Sequence, residues 1–371
     1  MMSDISILAG RLSDFIAISA DDFSSEHTRI PAFAEHADIE FNGLAVMLFT
    51  LQFKFNLAYR RLCEARRISP AKISHWRDIP CVPTLAFKEL DLTSLVPAER
   101  TRVFHSSGTT GQKPSRHFHS AESLALYETS AMSWFRLHVP RGKRLVILTP
   151  PPAAVPHSSL VHMFDGISRE ASATSDDFVG RLSADGEWCV DFVAALAKLQ
   201  DAIARHESVT LLGTAFSFVH LLDHLAEQNQ RLRLPAGSRV METGGYKNKS
   251  RSLAKADLHR LISERLGVEE SFIHREYGMS ELSSQAYDTS RNGARHFQFP
   301  PWARVRVVSP ETGKEVADGE TGLLCIYDLA NAFSVMAIQT EDLAVRRGGD
   351  FELAGRAALS EPRGCSLMSA P

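Results

Sequence analysis

A segment rich in hydroxyl groups and glycine carries the strongest chemical signal in the sequence. It spans residues 105–114 and reads His-Ser-Ser-Gly-Thr-Thr-Gly-Gln-Lys-Pro. Its glycines, Gly108 and Gly111, allow backbone conformations that turn successive N–H groups towards one point. Further donors are the ammonium group of Lys113 and the hydroxyl groups of Ser106, Ser107, Thr109 and Thr110. This mixture suits a triphosphate. The order of a Walker A loop is absent, and composition alone leaves a plain surface loop as an open alternative.

Two further segments have residue types that suit a ligand. Gly244, Gly245 and Tyr246 follow a short apolar run, and paired glycines let a backbone approach an adenine closely. A tight turn is the alternative, and both can hold. The segment 157–159, made of His157, Ser158 and Ser159, follows three prolines after another apolar run. Its position suggests an acyl pocket or the site of carboxylate attack, with a loop that has no role as the alternative.

Four motifs, in order along the chain, resemble those of the acyl-adenylate-forming enzymes. Residues 106–114 resemble their phosphate loop, and the Glu-Tyr-Gly-Met-Ser-Glu of 276–281 resembles their aromatic-Gly-x-Ser/Thr-Glu signature. Asp342 stands where these enzymes have an acidic residue, and a Gly-Arg pair follows at 355–356. Within this group the chain is most similar to the LuxE-type acyl-protein synthetases, on the segments 156–160, 243–247, 277–285 and 363–367 and on total length.

This resemblance implies a role for each matching residue. The loop from Ser106 to Lys113 would grip the β- and γ-phosphates of ATP, with Lys113 as a catalytic cation. Tyr277 would stack on the adenine beside Gly278 and Met279, and Ser280 would bond the α-phosphate. Glu281 would hold Mg²⁺, whose hard charge prefers carboxylate oxygens.

The resemblance also assigns the ribose contacts, for which local alternatives stay open. Asp342 could accept hydrogen bonds from the ribose hydroxyls, since a carboxylate is acceptor-only, and Arg356 could reach ribose or phosphate. An aspartate in a turn is the alternative for Asp342. A tyrosine in the hydrophobic core is the alternative for Tyr277, and a solvated surface residue is the alternative for Glu281.

Cys365 lies close to the end of the sequence, between Arg363-Gly364 and Ser366-Leu367. The segment resembles the one that carries the acyl group as a thioester in LuxE-type enzymes, and Arg363 would favour the reactive thiolate. Most acyl-adenylate-forming enzymes add a C-terminal swinging domain with a catalytic lysine. Too few residues follow Asp342 for a domain of the usual minimum of about 50 residues, so we expect that domain to be lacking and a built-in thiol to accept the acyl group.

The elements that must position these residues follow a repeated pattern. Short apolar runs at 145–148, 209–212, 240–241 and 271–274 each lead into a polar loop, and helical stretches lie between them. This order predicts an α/β fold with a parallel sheet whose carboxyl-end loops form the site. We expect four regions: a mainly helical part at 1–100, an α/β core at 101–300, an antiparallel β subdomain at 301–355 and a mobile tail at 356–371. In the first region, apolar residues at helical spacing from Leu44 to Leu62 predict a buried helix.

Composition narrows the classes of function. The chain has 371 residues and a formal net charge of −3, which gives no field to recruit nucleic acid or an anionic membrane. The five cysteines are odd in number and widely spread, so we expect neither a disulfide framework nor a zinc ribbon. No signal peptide or membrane-spanning run is evident, and a cytoplasmic setting is expected.

The sequence therefore predicts an ATP- and Mg²⁺-dependent ligase. It would convert a carboxylic acid, by resemblance a fatty acid, to acyl-AMP, pass the acyl group to Cys365, and then deliver it to a partner protein such as a reductase or carrier. One alternative is an adenylating ligase that transfers directly to CoA or an amine and leaves Cys365 unused. The other is a non-catalytic nucleotide-binding subunit.

Overall fold

The computed structural model describes residues 4–24, 31–106, 113–170, 177–244, 253–291 and 294–357. Its N-terminal part is helical, with helices α1 (Asp4–Ser24), α2 (Pro31–Phe55) and α3 (Leu57–Ala65). The apolar spacing between Leu44 and Leu62 predicts one helix, but the chain forms two. Asn56 separates them because its side chain accepts a hydrogen bond from the Tyr59 N–H (3.1 Å) and so caps α3.

The later helices alternate with strands. They are α4 (Ala86–Glu89), α5 (Ala121–His138), α6 (Ser159–Glu170), α7 (Phe192–Ala204), α8 (Ala215–Glu227) and α9 (Lys255–Leu266). Ser120 caps α5 and Thr214 caps α8, each by a hydrogen bond to the third residue of the helix. Among the described helices, none combines the length and apolar character that crossing a bilayer requires.

Four strands form the predicted parallel sheet. They are β4 (Arg144–Ile147), β7 (Val209–Thr214), β8 (Arg239–Thr243) and β9 (Ile273–Tyr277), adjacent in the order β9-β8-β7-β4. The first three match the apolar runs. β9 begins two residues later than its run predicts, because Glu270–Phe272 forms a 3₁₀ turn.

Helices cover both faces of these parallel strands. Along β4 and the residue that follows it, Leu145 and Ile147 pack into one hydrophobic cluster with α1, α2, α5 and α6. Val146 and Leu148 pack into a second cluster with α7, α8 and α9. Successive strand side chains point to opposite faces, so strands buried on both sides appear in the sequence as continuous apolar runs.

The remaining strands are mostly antiparallel. They are β1 (Val82–Pro83), β2 (Arg102–His105), β3 (Arg116–His119), β5 (Gly180–Leu182), β6 (Trp188–Val190), β10 (Ala286–Arg291), β11 (Ala294–Gln298), β12 (Ala303–Val308), β13 (Thr321–Asp328), β14 (Ala337–Arg347) and β15 (Asp350–Arg356). In the described part of the chain, the path β12-β13-β14-β15-β11-β10-β9-β8-β7-β4 forms one mixed sheet, which β1 joins beside β14. The antiparallel strands expected after Trp302 therefore belong to the same hydrogen-bonded sheet as the parallel strands.

Candidate functional site

The predicted phosphate loop joins the two strands of the β2–β3 hairpin. Its ends are held together because the Ser106 hydroxyl oxygen accepts a hydrogen bond from the Ser115 N–H (3.0 Å). Lys113 lies 3.5 Å from the carboxylate of Glu89, and both side chains are more than half exposed. The centre of the predicted loop, Ser107, Gly108, Thr109, Thr110 and Gly111, lies outside the described residues.

The aromatic-acidic turn after β9 lies directly against this hairpin. The Ser280 hydroxyl donates to the carbonyl oxygen of His105 (2.9 Å), and His117 Nδ1 lies 2.8 Å from the carbonyl oxygen of Ser280. Burial lowers the pKa of His117 to about 4, so its ring is neutral near pH 7 and donates through Nδ1–H. The turn after β9 and the β2–β3 hairpin are thus in contact, although they lie far apart in sequence. A nucleotide shared by the turn and the hairpin loop would require such a contact.

Glu281 is buried beside this junction. Burial raises the pKa of its carboxyl group, Glu341 raises it further, and the Ser115 hydroxyl and the Lys88 ammonium oppose the shift. Glu341 Oε1 is itself buried without a hydrogen-bond partner among the described residues. No group of three metal-ligating side chains occurs in that part of the chain. Mg²⁺ commonly takes only one or two carboxylates besides phosphate and water, so this carboxyl pair fits such an ion.

Tyr277 of β9 meets Asp342 and Arg356, which lie on the paired strands β14 and β15. The Tyr277 hydroxyl donates to Asp342 Oδ2 (2.8 Å), and Arg356 Nε donates to Asp342 Oδ1 (3.2 Å). Asp342 and Arg356 face each other across β14 and β15. The alternative that Asp342 belongs to a turn is therefore wrong. Burial, and then the charge of Asp342, raise the pKa of Tyr277, so its hydroxyl stays protonated as the donor.

The ring of Tyr277 lies in an aromatic cluster. It is 8% exposed and contacts Phe297, Phe299 and Phe351, the last edge-on at 5.4 Å between ring centroids. This burial is what the alternative of a core tyrosine describes. The adenine-stacking role stays a prediction, as do the nucleotide contacts of Gly278 and Met279, which follow Tyr277 in the same turn.

Gly244 ends the turn that follows β8 in the described part of the chain. Its φ of +70° is a conformation that glycine adopts without strain, and its carbonyl oxygen accepts from Lys255 Nζ (3.1 Å). The backbone therefore bends at Gly244, and the tight turn stays a prediction. Gly245 and Tyr246 lie outside the described residues, and the approach of an adenine to this turn stays a prediction.

The segment 157–159 is fixed to the outside of the β2–β3 hairpin. The His157 ring stacks on the His105 ring (4.7 Å between centroids). The His157 carbonyl accepts from the His105 N–H (2.9 Å), and its Nδ1 lies 3.0 Å from the Val103 carbonyl oxygen. Ser158 Oγ accepts from the Val161 N–H at the start of α6, and the Ser159 carbonyl accepts from the Tyr127 hydroxyl. These contacts place the segment beside β2, the strand that leads into the predicted phosphate loop. Its role in acyl binding stays a prediction.

Two buried residues of the site have no role in the sequence-based predictions. His117 fastens the turn after β9 to the hairpin, and Glu276 bonds across β9 and β8 to the Thr243 hydroxyl. The signal available for Glu276 was an acidic residue directly before the aromatic residue of the matching motif. Cys365 lies outside the described residues.

Comparison with known proteins agrees with this geometry. The family model described as "Acyl-protein synthetase, LuxE" matches residues 32–370. This chain belongs to the LuxE acyl-protein synthetase family. Two curated relatives, the long-chain-fatty-acid–luciferin-component ligases of Aliivibrio fischeri and Vibrio harveyi, are 25% and 24% identical over 91% and 83% of this chain and 90% and 82% of their own.

A solved structure shares the fold of this LuxE-family chain. A 2-hydroxyisobutyryl-CoA ligase, crystallised with its acyl-adenylate and CoA, aligns with a TM-score of 0.65 at 15% identity. The alignment covers 84% of this chain and 64% of that ligase. The LuxE-family protein therefore has the adenylate-forming fold, as predicted, and by its family it is a ligase.

Proposed function

We propose that this LuxE-family protein activates a long-chain fatty acid with ATP and then carries the acyl group on Cys365. The observation that supports this most is the junction of the two loops, where Ser280 bonds His105 and His117 bonds Ser280. It brings the aromatic-acidic turn into contact with the two strands that flank the hydroxyl-rich loop. The names of the two curated ligases support a long-chain fatty acid as the substrate.

The first step would form acyl-AMP. A carboxylate oxygen of the acid attacks the α-phosphorus of ATP, and the bond to the leaving pyrophosphate breaks. The hairpin loop with Lys113 would hold the β- and γ-phosphates, and Asp342 would accept hydrogen bonds from the ribose. Ser280 already donates its proton to the His105 carbonyl, so its hydroxyl must turn away from that carbonyl to reach the α-phosphate.

Positive charge is needed where the phosphate oxygens gain negative charge. When bound, Mg²⁺ would supply it, and Glu281 with Glu341 are the residues that would hold the ion. The pKa of Glu281 is raised by burial, and Glu341 Oε1 has no hydrogen-bond partner in the described part of the chain. A cation beside Glu281 would favour the ionised form of its carboxyl group.

The second step would move the acyl group to a thiol. The Cys365 thiolate attacks the acyl carbon of the mixed anhydride, a thioester forms, and AMP leaves. A protein acceptor would then take the acyl group from Cys365. The four cysteines in the described residues are all free thiols, and two of them, Cys63 and Cys325, are buried. Of the partly exposed pair, Cys189 provides a control thiol remote from the sequence signals of the site.

An acid-dependent exchange of labelled pyrophosphate into ATP tests the first step. We expect exchange with fatty acids and intact-mass evidence of one acyl group on the protein. Cys365→Ala should keep the exchange and lose the acyl adduct, whereas Cys189→Ala should keep both. Exchange together with direct transfer to CoA or an amine by Cys365→Ala would identify the alternative ligase. Nucleotide binding without exchange, for any acid, would identify a non-catalytic subunit.

A further inference from the structure

Glu276 is a buried acid between the two turns of the proposed nucleotide site. It lies on β9, one residue before Tyr277, and is 6% exposed. Across the parallel pair it faces Thr243 of β8, and the Thr243 hydroxyl donates to Glu276 Oε2. Thr243 directly precedes Gly244. One carboxylate oxygen is therefore fastened to the turn that follows the neighbouring strand.

The other carboxylate oxygen faces the turn that follows β9 itself. A Cβ atom added to Gly278 would lie 2.4 Å from Glu276 Oε1, far inside van der Waals contact. The absence of a side chain at Gly278 thus makes room for the Glu276 carboxyl group. Glu276 contacts both turns at once, since Oε2 bonds the first and Oε1 packs on the second.

We infer that Glu276 is a positioning residue that couples these two turns, and that its charge state sets the affinity of the site for ATP. The inference rests on the proposed function, because it takes the two turns to be the nucleotide site. A neutral Glu276 would hold the turns together without repelling a triphosphate. An ionised Glu276 would place a negative charge behind them, where charge–charge interactions are weakly screened.

The groups around Glu276 favour its neutral form. Glu242 of β8 lies near it with a like charge, Tyr287 is its partner on β10, and Tyr127 of α5 also interacts with it. In the described part of the chain, the cation Lys255 pairs with Glu242 and not with Glu276. Burial, and then Glu242, raise the pKa of Glu276 to about 7, while the Thr243 hydroxyl opposes the shift. The charge would therefore change near neutral pH.

The test measures ATP binding by calorimetry and the KM for ATP in pyrophosphate exchange, both between pH 6 and 8.5 at saturating Mg²⁺. For the wild type we expect affinity to fall about three- to tenfold as pH rises. Glu276→Gln should keep the affinity of the low-pH wild type throughout, with little change in kcat. Glu264→Gln, an exposed acid on α9, is the matched control and should follow the wild type. The titration of ATP itself affects all variants equally, so it cancels in the ratio of their ATP affinities at each pH.

Thr243→Val gives a second, directional test. It removes the hydrogen bond that lowers the pKa of Glu276, so the fall in affinity should move to higher pH. A ratio of wild-type to Glu276→Gln affinity that stays constant with pH would overturn the inference while leaving the proposed function intact. A wild type that binds ATP but shows no exchange with any acid would overturn the proposed function, and the binding ratio would still decide the role of Glu276.

Discussion

The Ser280 hydroxyl and the carbonyl oxygen of His105 lie 2.9 Å apart. This hydrogen bond ties the turn after β9 to the end of the strand that leads into the predicted phosphate loop. Since β2 and β9 do not pair in the sheet, the contact depends on side chains, and on His117 above all. The relative placement of the two loops should therefore respond to substitutions at the junction.

Replacing His117 should loosen that junction. His117→Ala removes the Nδ1–H donor and leaves the half-buried Ser280 carbonyl without it, at a cost of about 0.5–1.5 kcal/mol of folding free energy. We expect the kcat/KM for ATP to fall at least tenfold in pyrophosphate exchange. His117→Asn retains an amide N–H donor and should recover much of the loss. Equal losses in the two variants would show that the volume of the ring matters and the hydrogen bond does not.

The Tyr277–Asp342 hydrogen bond should matter more than the Arg356–Asp342 ion pair. The Tyr277 ring is buried and the Asp342 side chain is 13% exposed, whereas that of Arg356 is 77% exposed. A hydrogen bond to a charged carboxylate contributes about 1.5–3 kcal/mol, and an exposed ion pair often contributes about 1 kcal/mol or less.

We therefore expect Tyr277→Phe to raise the KM for ATP about tenfold, and Arg356→Ala to raise it less than threefold. A double-mutant cycle of Tyr277→Phe with Asp342→Asn should show coupling, measured as ATP binding by calorimetry. Additive effects of the two substitutions would contradict a functional role for this hydrogen bond.

Two glycines offer a matched pair of substitutions. In Gly278→Ala the new Cβ would meet Glu276 Oε1 at 2.4 Å, whereas in Gly10→Ala, on the outer face of α1, it would meet nothing within 4 Å. Gly278→Ala should lose about 1–3 kcal/mol through overpacking. Gly10→Ala should gain about 0.5–1 kcal/mol from helix propensity. Chemical denaturation measures the free energy of unfolding of both variants. A Gly278→Ala variant as stable as the wild type would mean that Glu276 can move aside.

The sequence predicts those parts of the fold in which buried residues follow one another as a continuous apolar run. The runs at 145–148 and 209–212 mark β4 and β7 because both faces of those strands are covered. The capping role of Asn56, which divides the predicted helix, is a local hydrogen bond that apolar spacing does not reveal. The placement of Asp342 in a strand depends on its partner Arg356 on β15, so the turn alternative could not be excluded from nearby residues.

In the candidate site, too, the sequence reveals local motifs but not the contacts between distant residues. Residue types indicated the phosphate loop and the aromatic-acidic turn, and the structure brings their ends together. His117 and Glu276 gave no comparable signal. His117 shares β3 with a second buried histidine, His119, and its contact with the distant Ser280 carbonyl is what ties it to the site. Glu276 precedes the matching motif, and its partner Thr243 comes from another strand. Contacts between such distant residues are set by the packing of the sheet.

The raised pKa of Glu276 also makes a prediction about stability. In the unfolded chain a glutamate titrates near 4.3, and burial raises the pKa of Glu276 to about 7 in the folded protein. The folded state thus binds this proton more tightly. The resulting stabilisation is fully present below the unfolded pKa and is lost as pH rises through 7. With a pKa shift of this size, the loss would be about 3 kcal/mol.

Glu276→Gln, which stays neutral, should therefore gain Tm relative to the wild type at pH 8 but not at pH 4. Glu264→Gln should show no such pH-dependent difference. Parallel Tm profiles of the wild type and Glu276→Gln between pH 4 and 8 would mean that the carboxyl group does not change its charge in this range.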